Sequence, residues 1–168
     1  VVKQGFVKVA AVTPKIVVAD TKENTALICA EIKKAEKEGA KIIVLPELCI
    51  TGYTCSDLFL QEKMLREARQ SLLEIAAFTF ALDCIVFVGL PLAVSNGKVL
   101  GFVPKTYLPN YNEFYEARHF ARGMEETVQV SLGEEVVPMG KKLLFTCQTM
   151  PELKIGVELC EDLWMPEP

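Results

Sequence analysis

One histidine and one tryptophan stand in 168 residues. The chain also has no Lys/Arg-rich run, no long apolar run and no C-x-x-C pair. The lone His119 cannot complete a His-rich zinc site, and none of Cys29, Cys49, Cys55, Cys84, Cys147 and Cys160 has the spacing of a zinc or dithiol motif. A net charge of −4 without a basic patch excludes nucleic acid as a partner. No stretch approaches the roughly 20 apolar residues of a membrane span, which argues against a membrane partner. The opening V-V-K-Q-G-F-V-K-V-A lacks the layout of a signal peptide and reads as a first strand. Most of the cysteines sit in apolar runs, where a reduced Cys behaves as a small hydrophobe. The chain therefore reads as a reduced, cytoplasmic protein rather than a disulfide-stapled secreted domain. No internal repeat, low-complexity tract or linker interrupts it.

What is present is one domain's worth of chain with 51% hydrophobic and 24% charged residues, ordinary globular values. The apolar run 5–12 predicts a strand buried on both faces. Thr21 or Asn24 is placed to cap a helix carrying Leu27, Ile28, Ile32 and Ala35 on one face, and Gly39 stops it. Residues 41–45 form a second strand. Residues 61–80 form a second amphipathic helix, with Met64, Ala68, Leu72 and Ala76 along its stripe, and 84–88 form a third strand. This β-α-β-α-β order predicts a parallel sheet with right-handed crossovers. A turn at Ser95-Asn96-Gly97 leads to a strand over 99–103. Residues 107–122 predict a loop with a short helix, 136–139 and 143–147 paired strands, and 154–160 a last strand. The sequence E-D-L-W-M-P-E-P then follows without a further element, as in a piece of a longer polypeptide.

Three apolar stretches each end on one reactive side chain: I-V-L-P-E on Glu47, G-F-V-P-K on Lys105 and I-G-V-E-L-C on Cys160. Ligands of open α/β sheets collect at the carboxyl ends of the strands, so three such ends can build one site. Pro46 and Pro104 donate no ladder hydrogen bond and mark where pairing stops. An ammonium near a thiol favours the thiolate. A carboxylate can take the thiol proton and return it to a leaving amine, and the ammonium can hold the oxyanion of a tetrahedral intermediate. Glu, Lys and Cys thus suffice to hydrolyse an amide through a thioester, with no metal.

The stretches L-P-E-L-C-I-T-G-Y (45–53), V-P-K-T-Y-L-P-N-Y-N-E-F-Y-E-A-R-H-F (103–120) and I-G-V-E-L-C-E-D-L-W (155–164) resemble the nitrilase (carbon-nitrogen hydrolase) superfamily. More narrowly, they resemble the N-terminal glutaminase domains of glutamine-dependent NAD synthetases. The resemblance covers essentially the whole chain from Phe6. C-E-D-L-W and Y-L-P-N-Y-N-E-F are its narrowest signatures.

The resemblance implies an α/β fold, a nitrilase-like four-layer α-β-β-α sandwich that residues 1–168 hold only in part, with the rest of the domain and a synthetase domain elsewhere. It implies Glu47 as general base, Lys105 beside the oxyanion and Cys160 as the nucleophile that becomes a glutamyl thioester. Glu116 matches the second glutamate set against the lysine, with Glu113 as rival. Tyr53, Tyr111 and Phe114 match positions lining a glutamine pocket, and Glu161 one near the substrate amine. The implied partners are glutamine, a synthetase domain that takes the ammonia, and further copies of the chain in an oligomer. No cofactor is implied for the glutaminase part; ATP and Mg belong to the synthetase, which amidates nicotinic acid adenine dinucleotide.

The chain departs from the family between Leu92 and Lys98, where a pair of strands with an N-C-A-type segment is missing. Two other functions stay open: a stand-alone nitrilase-type amidase acting on another small amide, and a non-catalytic α/β binding domain. The remaining candidates have structural readings. Cys49 and Cys55 read as core residues, His119 as a packing residue, and Asp57 and Asp162 as turn or cap residues. Glu158, placed mid-strand, requires a partner.

Overall fold

The computed structural model describes residues 5–89 and 92–166. The chain divides into two compact units, Val1–Leu100 and Gly101–Pro168.

The first unit begins with β1 (Val9–Ala11), α1 (Thr21–Lys37) and β2 (Ile42–Glu47). It continues through a kinked 3-10 segment (Tyr53–Leu60), α2 (Glu62–Phe78) and β3 (Ile85–Gly89), then β4 (Leu92–Ser95) and the start of β5 (Lys98–Phe102), whose last two residues belong to the second unit. β2 pairs in parallel with β1 and with β3, the arrangement predicted by the alternating order. Ile28, Ile32 and Ala35 of α1 and Met64, Ala68, Leu72 and Ala76 of α2 are buried, and the two helices pack on each other. Burying an Ile or Leu side chain contributes about 1.5–3 kcal/mol, so these two stripes explain why the helices form where they do. β1 differs from expectation. It is three residues long and Val9 is exposed, because among the described residues it has β2 as its one strand neighbour and lies at a sheet edge.

The cap of α1 also differs. Asp20, not Thr21 or Asn24, accepts from the Glu23 N–H at 2.9 Å. Asn24 is fully buried and bridges backbone instead: it accepts from the Val17 N–H at 2.8 Å and donates to the carbonyls of Val17 at 2.8 Å and Ile50 at 2.9 Å. An amide with both donors and acceptor used is tolerated in a core.

Residues 92–95 were not expected as a strand. β4 runs antiparallel to β3, with Ile85 opposite Ser95 and Val88 opposite Leu92. The short stretch that follows is closed by a two-residue turn in which Asn96 and Gly97 have φ of 48° and 77°, the positive values a tight hairpin needs. The predicted G-L-P-L exit from β3 falls partly on Leu90 and Pro91, outside the described residues.

The second unit holds α3 (Glu116–His119), β6 (Val128–Leu132), β7 (Glu135–Met139), β8 (Phe145–Cys147) and β9 (Met150–Ile155). α3 is the short helix expected within 107–122. The strand pairing is a correction. Residues 136–139 do not pair with 143–147. β7 forms a hairpin with β6 around Gly133 (φ 68°), and β8 pairs with β9. Phe102, at the end of β5, pairs in parallel with Met139. In both hairpins the nearest downstream or upstream alternating run wins, because a short loop closes at the least entropic cost.

The last strand is also shifted. It ends at Ile155, where its pairing with Phe145 stops, and no described strand pairs with 156–159. Residues 160–164 form a 3-10 turn where no further element was expected. Glu158 is consequently exposed to solvent rather than held mid-strand.

Candidate active site

In the first unit, Glu47 ends β2 at an irregularity. The register shifts between Val44 and Glu47, so Pro46 occupies the bulge and pairing resumes at Glu47 opposite Gly89. Pro46 thus interrupts the ladder without ending it, which refines the expectation drawn from its missing N–H. The Pro46 carbonyl lies against Gly89 where a side chain would have to stand, which admits only glycine there. Leu48 takes a left-handed φ of 53° and donates its N–H to the Gly89 carbonyl. Behind it Cys49 and Ile50 are buried, Gly52 N–H donates to the Leu48 carbonyl at 2.7 Å, and Asn24 holds the Ile50 carbonyl. The turn that carries the half-buried Glu47 is therefore fixed by core packing and by α1. Tyr53 opens the 3-10 segment and is partly exposed.

In the second unit, Lys105 follows β5. Its ammonium contacts Glu116 at 2.8 Å to Oε2 and 2.9 Å to Oε1, and the two side chains are 10% and 6% exposed. Of the two rival glutamates, Glu116 is the one on the lysine, and Glu113 is exposed. Glu116 is the first residue of α3, and its carbonyl accepts from the Phe120 N–H at 2.9 Å. The Lys105 carbonyl accepts from Gly123 N–H at 2.9 Å.

Cys160 opens the 3-10 turn Cys160–Trp164 with φ of +49°. A non-glycine residue in the left-handed region is uncommon and marks a sharp turn or local strain. Cys160 is also the exposed one among the six cysteines, all of which are free thiols. Burial pushes the Cys49 and Cys84 thiols up to about 11.

The next two residues of the turn reach back to the loop after Lys105. The Tyr111 phenol donates to the Glu161 carboxylate at 3.0 Å, and Tyr111 meets Phe114 edge to face at 5.7 Å. That hydrogen bond to Glu161, helped by desolvation and by the nearby charges of Glu161, Cys160 and Glu113, holds the phenol above its ordinary value. Asp162, buried, accepts from the Tyr107 N–H at 2.7 Å and from the Thr106 N–H at 3.1 Å. The second unit thus joins Lys105 to Glu116, Tyr111 to Phe114 and to Glu161, and the Cys160 turn to the 105–107 loop. Asp162 does lie in a turn, as its turn-or-cap reading has it, but nothing in its spacing reveals the contact with residues so distant in sequence. A cleft of about 600 Å³ in the same unit is walled by Val103, Pro104, Thr106, Lys141 and Val157 and reaches Asp162. Its walls do not include Lys105 or Cys160.

Among the described residues no helix is long and apolar enough to cross a membrane, and no group of three or more His, Cys, Asp or Glu is set to hold a metal ion.

A fold of this kind with a lysine-glutamate pair beside a cysteine turn defines a class. The chain belongs to the carbon-nitrogen hydrolase family, whose model matches residues 8–168. Among individual proteins, it is 35% identical over 177 residues to the glutamine-dependent NAD(+) synthetase of Mycobacterium tuberculosis, a match covering 99% of this chain and 26% of that protein. The protein of the same name from Thermotoga maritima is 32% identical over 157 residues, covering 88% of this chain and 24% of the relative. The chain thus spans about a quarter of the length of these curated relatives. A crystal structure of a glutamine-dependent NAD(+) synthetase from Cytophaga hutchinsonii superposes with a TM-score of 0.81 at 30% identity, over 93% of this chain and 28% of that one. An amidase from Nesterenkonia sp. has a TM-score of 0.56 at 20% identity, covering 82% of this chain and 56% of that one, and shares the fold. The α/β class and the nitrilase-type fold are as expected.

Proposed function

We propose that this chain is the glutamine-hydrolysing part of a glutamine-dependent NAD synthetase. The single observation that carries the reading is the buried Lys105–Glu116 pair on a loop hydrogen-bonded to the turn that projects an exposed thiol, Cys160. The relatives' names and the C-E-D-L-W signature add the substrate.

In this reading the Cys160 sulfur attacks the side-chain amide carbon of glutamine, and the thiol proton passes to Glu47. Negative charge develops on the carbonyl oxygen, and the Lys105 ammonium, held in place by Glu116, stabilises it. The C–N bond breaks as Glu47 returns its proton to the departing nitrogen, which leaves as ammonia, and a glutamyl thioester remains on Cys160. Water then attacks the thioester, losing a proton to Glu47. The tetrahedral species collapses to glutamate, and the thiol is restored by the same proton. Tyr111, Phe114 and Tyr53 supply pocket walls, and Glu161, tied to Tyr111, faces the substrate amine. These steps ask no metal of this chain.

The ammonia passes to a synthetase domain outside residues 1–168, where ATP with Mg activates nicotinic acid adenine dinucleotide for amidation. A reducing cytoplasmic setting suits the free thiols, and assembly into an oligomer belongs to the same reading.

The test uses the intact enzyme that contains this chain. Cys160→Ala is expected to abolish glutamine-driven NAD formation while leaving ammonia-driven formation. Loss of both activities in a normally folded variant, or survival of the glutamine-driven one, defeats the proposal.

A further inference from the structure

Asp162 sits two residues beyond Cys160, yet its carboxylate is not spent on its own turn. The turn is closed by backbone bonds: Asp162 N–H donates to the Leu159 carbonyl at 3.0 Å, and Met165 N–H to the Asp162 carbonyl at 3.2 Å. The side chain instead crosses to the other loop. It accepts from Tyr107 N–H at 2.7 Å on Oδ1, and from Thr106 N–H at 3.1 Å on Oδ1 and 3.2 Å on Oδ2. These are charge-assisted bonds, shorter and stronger than neutral ones, and the residue is 4% exposed, so water does not compete for them.

Lys105 is the residue immediately before Thr106. Its ammonium is fixed at one end by Glu116, and its backbone is fixed at the other by the two N–H groups that follow it. We propose that Asp162 is a positioning residue for amide hydrolysis: it sets the distance between the Lys105 ammonium and the Cys160 sulfur by holding the 105–107 loop to the nucleophile's turn. The inference rests on the functional reading above, in which Lys105 serves the oxyanion and Cys160 attacks. Asp162 touches neither substrate nor sulfur in this role. It acts through the backbone of Thr106 and Tyr107.

An oxyanion donor works only where the oxygen will be, and a misplacement of about 1 Å costs on the order of 10²-fold in rate. Asp162→Ala removes all the acceptors. Asp162→Asn keeps the shape and one carbonyl oxygen but loses the charge and offers an amide N–H donor where an acceptor stood. In the intact enzyme, the ratio of glutamine-driven to ammonia-driven turnover is expected to fall on the order of 10²-fold in Asp162→Ala and about 10-fold in Asp162→Asn. The fall is expected in kcat, with KM for glutamine changed less than about 3-fold, because the interaction matters only in the transition state.

A purely structural role would lower the folded fraction and leave the ratio alone. A ratio within about 2-fold of the parent in folded Asp162→Asn overturns the inference, as does a loss carried entirely by KM. If Asp162→Ala fails to fold, Asp162→Asn decides alone. Glutamine-driven turnover surviving Cys160→Ala defeats the functional reading itself, whereas a dead Cys160→Ala beside a normal Asp162→Asn defeats only this inference.

Discussion

Replacing Glu116 by glutamine keeps the shape of the side chain and deletes one charge of a pair that is almost out of water. At 2.8 Å and an effective dielectric constant near 20, the attraction between Lys105 and Glu116 is about 6 kcal/mol before desolvation is subtracted. Much of that is offset by the cost of taking both ions from water, so the net worth of the pair is smaller. Removing one partner is a different matter, because the Lys105 ammonium stays behind, 10% exposed, without the carboxylate that stood at 2.8 Å. Such a loss costs about 3–5 kcal/mol. For a chain of this size that is a fall in Tm of roughly 6–20 °C, readable by circular dichroism or calorimetry. The double variant Lys105→Met/Glu116→Leu removes both charges and is expected to recover most of the loss, since apolar replacement of a whole buried pair is often close to neutral. Glu116→Gln destabilising by less than about 1 kcal/mol, or a double variant as unstable as the two singles added together, refutes the claim that the pair is buried and coupled.

Gly89→Ala is expected to prevent stable folding of the first unit, because the new methyl would occupy the place of the Pro46 carbonyl and neither backbone can yield; a soluble variant with parent-like Tm contradicts this. Thiol alkylation under native conditions should label Cys160 first and spare Cys49 and Cys84, whose thiols sit at about 11 and are on the order of 0.1% ionised near pH 8. Their folded values lie above the unfolded 9.0, so the stability linked to them is complete below pH 9 and is lost as pH climbs toward about 11. A Tm that does not fall over that interval contradicts the assignment.

The parts of this protein that were legible beforehand are those decided locally. The stripes Ile28–Ile32–Ala35 and Met64–Ala68–Leu72–Ala76 report helix faces because a 3.6-residue period leaves few alternatives. Ser95-Asn96-Gly97 reports a turn, because few other pairs accept the two positive φ angles found at Asn96 and Gly97, whereas the strand before it is not legible. The parts that were missed depend on which distant segment supplies a partner. Nothing near residues 136–139 says that 128–132 will pair with them, and nothing in I-G-V-E-L-C says that pairing ends at Ile155. Asn24 has the residue type of a cap, yet its amide is claimed by Val17 and Ile50. The same division runs through the site. That Lys105 and a glutamate from 113–116 belong together was legible as a resemblance, whereas the choice of Glu116 and the reach of Asp162 to Thr106 and Tyr107 are tertiary facts.

The central claim is that Cys160 is the nucleophile toward glutamine. The most direct measurement is to treat the intact enzyme with a diazo-ketone analogue of glutamine and locate the adduct by mass spectrometry. The account predicts one covalent adduct, on Cys160, formed in step with loss of glutamine-driven activity and slowed by glutamine itself. Modification of Cys49 or Cys55 with Cys160 untouched contradicts it.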